Sequence, residues 1–200
     1  MLFSIREAEG MTLRVALGTK PNIGKKAARQ IVIDSPVLNY DQMQRICHQQ
    51  ETPIGRFSML YQPVFDDREA NQTALVTAID DICDQVEKFA ADKGGIAIIS
   101  DRDISRTHAS IAMTLIVSAI NQRLIEAGLR LRVSLIVESG QICSSHHIAC
   151  ALGFGAAAVY PLGVQLRAEE KFSEDADLAY QKFAKAAEKA LMKTMGKVGL

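Results

Sequence analysis

Between residues 73 and 161 the chain repeats one order three times: helix, glycine, short apolar strand, polar corner. The order constrains the fold because strands apolar on both faces need cover on both faces. Connecting them through helices keeps successive strands parallel. The first copy is the clearest. Leu75, Ile79, Ile82, Val86 and Phe89 recur at steps of three and four, while Asp80, Asp81, Asp84, Glu87 and Lys88 take the other side. That spacing predicts an amphipathic helix over residues 73–93. Gly94 and Gly95 end it, Ile96, Ala97, Ile98 and Ile99 form the strand, and Ser100, Asp101, Arg102 and Asp103 form the corner.

The second copy predicts a helix capped by Ser105 or Thr107, running through Ile111, Leu115, Ala119 and Leu124 and closed by Gly128. A buried strand over residues 131–137 follows, with Glu138, Ser139 and Gly140 at its corner. The third copy is a short helix over residues 146–152, capped by Ser144 and Ser145 and ended by Gly153. Its strand covers residues 156–160 and stops at Pro161. A further short strand over residues 57–60 brings the expected number to four, about half of an eight-stranded barrel. The fold class is therefore α/β: a parallel sheet of βα repeats with right-handed crossovers, resembling an incomplete (β/α)8 TIM-like barrel.

The rest of the chain is less patterned. Residues 1–38 read as an irregular connecting segment, with a turn at Gly18 to Asn22 and a solvated basic patch at Lys25, Lys26, Arg29 and Gln30. Residues 39–200 then form the α/β domain. Asn39 with Gln42 predicts a capping box on a short helix whose Met43 and Ile46 face inward. Residues 66–71 read as a charged loop. A last helix runs from about Asp175 to Met195, with Leu178, Phe183, Ala187, Leu191 and Met195 along one side.

Charge excludes some functions. Lys+Arg and Asp+Glu both number 23, so no global field recruits nucleic acid or an anionic membrane. No apolar run has the length of a membrane span, and no secretory leader is expected from the opening residues. Four cysteines without a CxxC pair suit reduced thiols, so a cytoplasmic setting is expected.

In parallel β/α architectures chemistry gathers at the C-terminal ends of the strands. The candidates there are Ser100, Asp101 and Arg102 after one strand, Glu138, Ser139 and Gln141 after the next, and Tyr160 on the last. A carboxylate ending a buried strand needs a cation or several donors, and Arg102 is the expected neighbour of Glu138. No nucleophile–base pair is visible among them, so an ion pair with loop-holding caps is favoured over catalysis, and no catalytic residue is assigned. His146 or His147 with Cys150 falls at helical spacing, which suits metal ligation, and Cys143 lies close by. A single helix cannot wrap four ligands around one ion, however, so packing and capping roles are favoured over a metal site. Gly153 and Gly155 precede a strand, whereas a phosphate cradle needs glycines leading into a helix.

Several stretches together resemble the central domain of glutamate synthase, in order and spacing over residues 12–199. They are Asp34-Ser35-Pro36-Val37-Leu38, Ile98-Ile99-Ser100-Asp101-Arg102, Gly128-Leu129-Arg130 and Val133-Ser134-Leu135-Ile136-Val137-Glu138-Ser139-Gly140. His146-His147-Ile148-Ala149-Cys150, Leu152-Gly153-Phe154-Gly155-Ala156 and the tail Leu191 to Gly199 complete the set. The resemblance implies a parent enzyme that makes glutamate from glutamine and 2-oxoglutarate. In that enzyme an amidotransferase domain frees ammonia, which reaches an FMN barrel with an iron–sulfur cluster through an internal tunnel. It further implies that this domain is structural and channelling, inactive alone and without a cofactor of its own. Its partners would be the amidotransferase and FMN domains of the same or a companion polypeptide. Ser100, Asp101, Arg102, Glu138 and Ser139 then become tunnel or domain-interface candidates, and surface left open by absent neighbours would favour self-association.

The chain also departs from the family. No cysteine follows Met1 to serve as the amidotransferase nucleophile, and no cluster-type cysteine spacing follows Pro161. Tyr160-Pro161-Leu162-Gly163 replaces the family's Asn-Pro-Tyr or Cys-Pro-Tyr turn, and Asn121-Gln122-Arg123 stands where a histidine-rich run is usual. Two accounts fit: a segment of the large subunit ending at the lead-in to an FMN domain, or a divergent stand-alone homologue. A competing function is a small independent α/β enzyme, or a flavin- or phosphate-ligand binder, working at the same strand-end face.

Overall fold

The computed structural model describes residues 12–21 and 30–198. Its centre is a four-stranded parallel sheet built from β3 (Ile54–Ser58), β5 (Gly95–Ser100), β7 (Val133–Glu138) and β8 (Ala158–Tyr160), in that spatial order. Helices α2 (Arg68–Asp92), α3 (Met113–Glu126) and α4 (Ser145–Gly153) make the successive crossovers. Strands β1 (Val15–Leu17) and β2 (Ile31–Ile33) pair antiparallel and lead into helix α1 (Tyr40–His48). A second small antiparallel pair, β4 (Leu60–Tyr61) with β6 (Ala109–Ser110), sits on the connections that follow β3 and β5. After β8 come α5 (Leu162–Phe172) and α6 (Ala176–Val198). No helix among the described residues is long and apolar enough to cross a membrane.

Every residue of β5, β7 and β8 is buried. Alternate side chains therefore feed two separate cores. On the outer face Ala97, Ile99, Leu135, Val137 and Val159 pack with Val86, Ile116, Ile120, Ile148 and Ala187 from the helices. On the inner face Ile96, Ile98, Ile136, Ala158 and Tyr160 meet Leu17, Ile33, Leu38, Met43 and Ile46. A closed barrel would fill its interior with side chains from its own strands. Here the N-terminal segment does that work. It also covers the β8 edge, where Leu38 N donates to Val159 O and Val159 N donates to Pro36 O, both at 2.8 Å.

The expected α/β class, the four parallel strands and the Asn39–Gln42 capping box all appear. Several local readings are corrected. The segment before residue 38 carries β1 and β2, strands of three residues each, too short for a period to show. The first sheet strand is Ile54–Ser58 rather than residues 57–60, and the chain breaks at Met59 before β4. Residues 66–71 are not all loop: Asp67 caps α2 by accepting from Glu69 N and Ala70 N, which brings the helix start forward to Arg68. Helix α5 was not expected at all. Its buried Leu162, Gln165 and Ala168 make a weak apolar stripe. Leu131 stands in a 3-10 turn and is 65% exposed, so β7 begins only at Val133. Leu178 is exposed on α6, where Tyr180 is buried instead and donates its hydroxyl to Leu38 O. Asn22, the basic patch at Lys25, Lys26 and Arg29, and the closing Gly199 and Leu200 lie outside the described residues.

Gly95 shows why the first glycine pair is fixed in kind. Its φ is +109°, and a Cβ there would stand 2.2 Å from the Pro53 carbonyl oxygen. Only glycine can turn from α2 into β5 at that distance.

Candidate functional site

The parallel register aligns Ser58, Ser100, Glu138 and Tyr160 in one row across the C-terminal ends of the four sheet strands. All four lie on the inner face, and the row marks where the apolar core gives way to polar groups. Glu138 is 0% exposed. Its Oε1 accepts from Arg102 Nε at 3.1 Å and Nη2 at 2.6 Å. Its Oε2 accepts from Ser100 Oγ at 2.7 Å and from Arg56 Nη1. Burial alone would push the Glu138 carboxyl up. Hydrogen bonds from Arg102 and Ser100, with the charges of Arg56 and Arg102, outweigh it and hold the pKa below the ordinary glutamate value. Tyr160, buried opposite Glu138, has its phenol pushed up to about 12, mainly by burial, so it stays protonated.

A second carboxylate stands beside this cage. Asp101 is 4% exposed and directed to the loop after β7. Its Oδ2 accepts from Ser139 Oγ at 2.7 Å, and its Oδ1 accepts from Gly140 N at 2.9 Å. Gln141 extends the clamp. It donates to Ser110 Oγ at 2.6 Å and Ile111 O at 2.9 Å, and its Oε1 accepts from Met113 N at 3.0 Å. That last bond caps α3, whose own N-cap residue Ala112 has no side-chain acceptor. Ser105 and Thr107, the expected caps, instead hydrogen-bond with each other and with His108 in an exposed turn. Among the described residues no buried side-chain nitrogen or oxygen lacks a hydrogen-bond partner.

The structure thus gathers Ser100, Asp101, Arg102, Glu138 and Ser139 at one corner. It adds Arg56, which the sequence reading missed because Gly55 and Arg56 broke the apolar pattern of β3. No sequence signal pointed to it, since β3 pairs with β5 and not with the strand that carries Glu138. The histidines do not converge. His147 Nδ1 lies 3.4 Å from Cys143 Sγ, and His146 Nε2 lies 3.6 Å from Cys150 Sγ, so each ring faces a different sulfur. Among the described residues no three His, Cys, Asp or Glu side chains gather into a metal-sized cluster.

Fold and corner together define a half-barrel α/β domain whose strand-end carboxylates are held by its own donors. Comparison with known proteins then gives the family. The family model described as the glutamate synthase central domain matches residues 2–200. The ferredoxin-dependent glutamate synthase of Cyanidium caldarium is 36% identical over 164 residues, which is 79% of this chain and 10% of the relative. The chloroplastic ferredoxin-dependent enzyme of spinach is 28% identical across 98% of this chain and 13% of its own length. The NADPH-type large chain of Bacillus subtilis is 33% identical across 63% of this chain and 9% of its own. The chain belongs to the glutamate synthase central domain family, and it spans about a tenth of the curated relatives it matches. Among solved structures, the flavin-binding domain of baker's yeast flavocytochrome b2 is similar with a TM-score of 0.52 at 13% identity. It covers 83% of this chain and 36% of that one, a likeness of fold.

The space between the sheet and the N-terminal segment is not a flavin site. The inner face is filled by Leu17, Leu38 and Met43. The start of α5 is pressed against its own chain, since a Cβ on Gly163 would stand 2.7 Å from Gly140 O. The cysteines are equally dispersed, with Cys47 in α1, Cys83 buried in α2, and Cys143 and Cys150 on separate histidines.

Proposed function

We propose that the chain is a non-catalytic structural and channelling domain of a glutamate synthase. The larger enzyme would make glutamate from glutamine and 2-oxoglutarate, with an amidotransferase domain and an FMN domain carrying an iron–sulfur cluster as neighbours. One observation carries the reading: both strand-end carboxylates, Glu138 and Asp101, have their oxygens engaged by donors of the same chain. A general base needs an accessible lone pair and a pKa near the working pH. Glu138 has neither, because its pKa is depressed and it is fully buried. The corner instead has the character of a rigid, charged face for docking.

The connections leaving the strand ends support docking there. Phe65, between β4 and α2, is 80% exposed, and Ile104, between β5 and β6, is 60% exposed. Large apolar side chains this open suit a covered position in a larger assembly, and they favour self-association of the isolated chain. Four free thiols suit a reducing compartment such as the cytoplasm. The test is direct. The 200-residue chain, supplied with glutamine, 2-oxoglutarate and a reductant, is expected to release neither ammonia nor glutamate. Turnover by this polypeptide alone overturns the reading.

A further inference from the structure

Arg56 and Arg102 bring two guanidiniums to one carboxylate, which they fill together with Ser100. Each oxygen of Glu138 already takes two donors, and the glutamate is sealed from solvent. The arginine side chains are not sealed: they are 45% and 42% exposed. Two cations against one anion leave the cage with a net positive charge. Arg56 Nε has no acceptor among the described residues, and Arg56 Nη2 has only the weak contact to Cys47 Sγ at 3.6 Å. Tyr160, still protonated, stands beside Arg102. Glu169, a further acid whose charge reaches Tyr160, is held by Gln165 Nε2 at 2.9 Å.

We propose that this arginine pair binds a carboxylate from outside the chain, on the solvent side of Glu138. Glu138 is then a positioning residue: it fixes the guanidiniums from below and leaves their outer N–H edges preorganised. Planar guanidinium edges match the two oxygens of a carboxylate and give charge-assisted hydrogen bonds. The site lies at the strand C-termini, where open α/β sheets receive ligands. A single negative charge suits the cage better than a phosphate dianion, which would sit doubly charged above the buried Glu138 carboxylate. The inference rests on the docking reading only for the source of the carboxylate. That source is either an acidic side chain of a neighbouring domain or a free dicarboxylate.

Arginine Nε–H signals in nitrogen-15 NMR test it. The chain is titrated at constant ionic strength with N-acetylglutamate amide, glutarate, inorganic phosphate and chloride. The Arg56 Nε–H signal is expected to shift and saturate with a carboxylate, with a dissociation constant on the order of 10 mM. Arg130 is the internal control, because its Nε already donates to Asn121 Oδ1 at 2.6 Å, and its signal is expected to stay put. Saturation by the blocked glutamate assigns a protein side chain as the source, whereas saturation by glutarate alone assigns a free dicarboxylate. Arg56→Gln is expected to weaken the response read at Arg102 by about tenfold. If that variant does not fold, Arg56→Lys keeps the charge and is expected to lose affinity with the forked donor. Shifts that rise without saturating, that match those in chloride, that appear equally at Arg130, or that saturate more tightly with phosphate overturn the assignment. None of these outcomes depends on whether the chain turns over glutamine, so the two readings fail separately.

Discussion

Glu138 and Asp101 end neighbouring buried strands, at 0% and 4% exposure, and are neutralised by different means. Glu138 takes two arginines and a serine hydroxyl. Asp101 takes the hydroxyls of Ser139 and Ser110 and a backbone N–H, with no arginine or lysine among the described residues hydrogen-bonded to it. The difference follows from one residue of position. Glu138 is the last residue inside β7, where the ladder with β5 and β8 uses the backbone N–H groups. A carboxylate there must be met by side chains. Asp101 stands one residue past β5, facing a turn whose Gly140 N–H is free to donate. Strand ends recruit cations; turns supply their own donors.

The larger effect is expected at Glu138. Glu138→Gln leaves Arg56 and Arg102 converging on an amide that cannot neutralise either. Removing one partner of a buried ion pair costs about 3–5 kcal/mol, and the partial exposure of both arginines places this case near about 3 kcal/mol. Urea denaturation at pH 7 measures it through the midpoint, with the slope unchanged. The effect is expected to depend on pH. The folded pKa of Glu138 lies below its unfolded value, so its stabilisation is present above the ordinary glutamate range and is lost as pH falls through the folded value. The gap between wild type and Glu138→Gln should therefore hold at pH 7 and close progressively below about pH 4. A gap that widens in acid would falsify the caged carboxylate.

Asp101→Asn sharpens the contrast, because it keeps the shape and removes only the charge. One amide oxygen can still accept from Gly140 N, while the amide nitrogen meets the Ser139 hydroxyl, which must reverse its role. The expected loss is about 1–2 kcal/mol, the cost of weakening charge-assisted bonds without stranding a cation. Equal losses for Glu138→Gln and Asp101→Asn would erase the distinction between the corners.

The outer face was the legible half of this fold, because its helices repeat every three to four residues over long stretches and its strands are apolar without interruption. The inner face was harder to read. Its cover comes from β1 and β2, strands of three residues, and from a segment whose register no periodicity can set. The site divides the same way. Glu138 and Arg102 were legible because consecutive parallel strands lie side by side, and a buried carboxylate requires a partner. Arg56 was not, since it lies eighty-two residues from Glu138 in a strand softened by Gly55. The two histidines matched a metal spacing along the helix, but spacing does not set ring direction, and each turned to its own cysteine. One helix start was hidden because its cap comes from a distant residue.

The start of α3 is that failure in its simplest form, and it supplies the smallest effects. Sequence proximity favours Ser105 or Thr107 as the cap, whereas the structure gives the Met113 N–H to Gln141, twenty-eight residues away. Gln141→Ala removes that acceptor and takes one donor each from the Ile111 carbonyl and the Ser110 hydroxyl, which keep their 3.0 Å bond to each other. A lost cap costs about 1 kcal/mol. Gln141 belongs to the Asp101 corner, so coupling between Gln141→Ala and Asp101→Asn should exceed that between Gln141→Ala and Glu138→Gln in double-mutant cycles. Ser105→Ala touches only its own exposed turn, and its expected change stays within about 0.5 kcal/mol. A reversal of these last two values in urea melts would return the cap of α3 to the local residue and detach the Asp101 clamp from the helix it steadies.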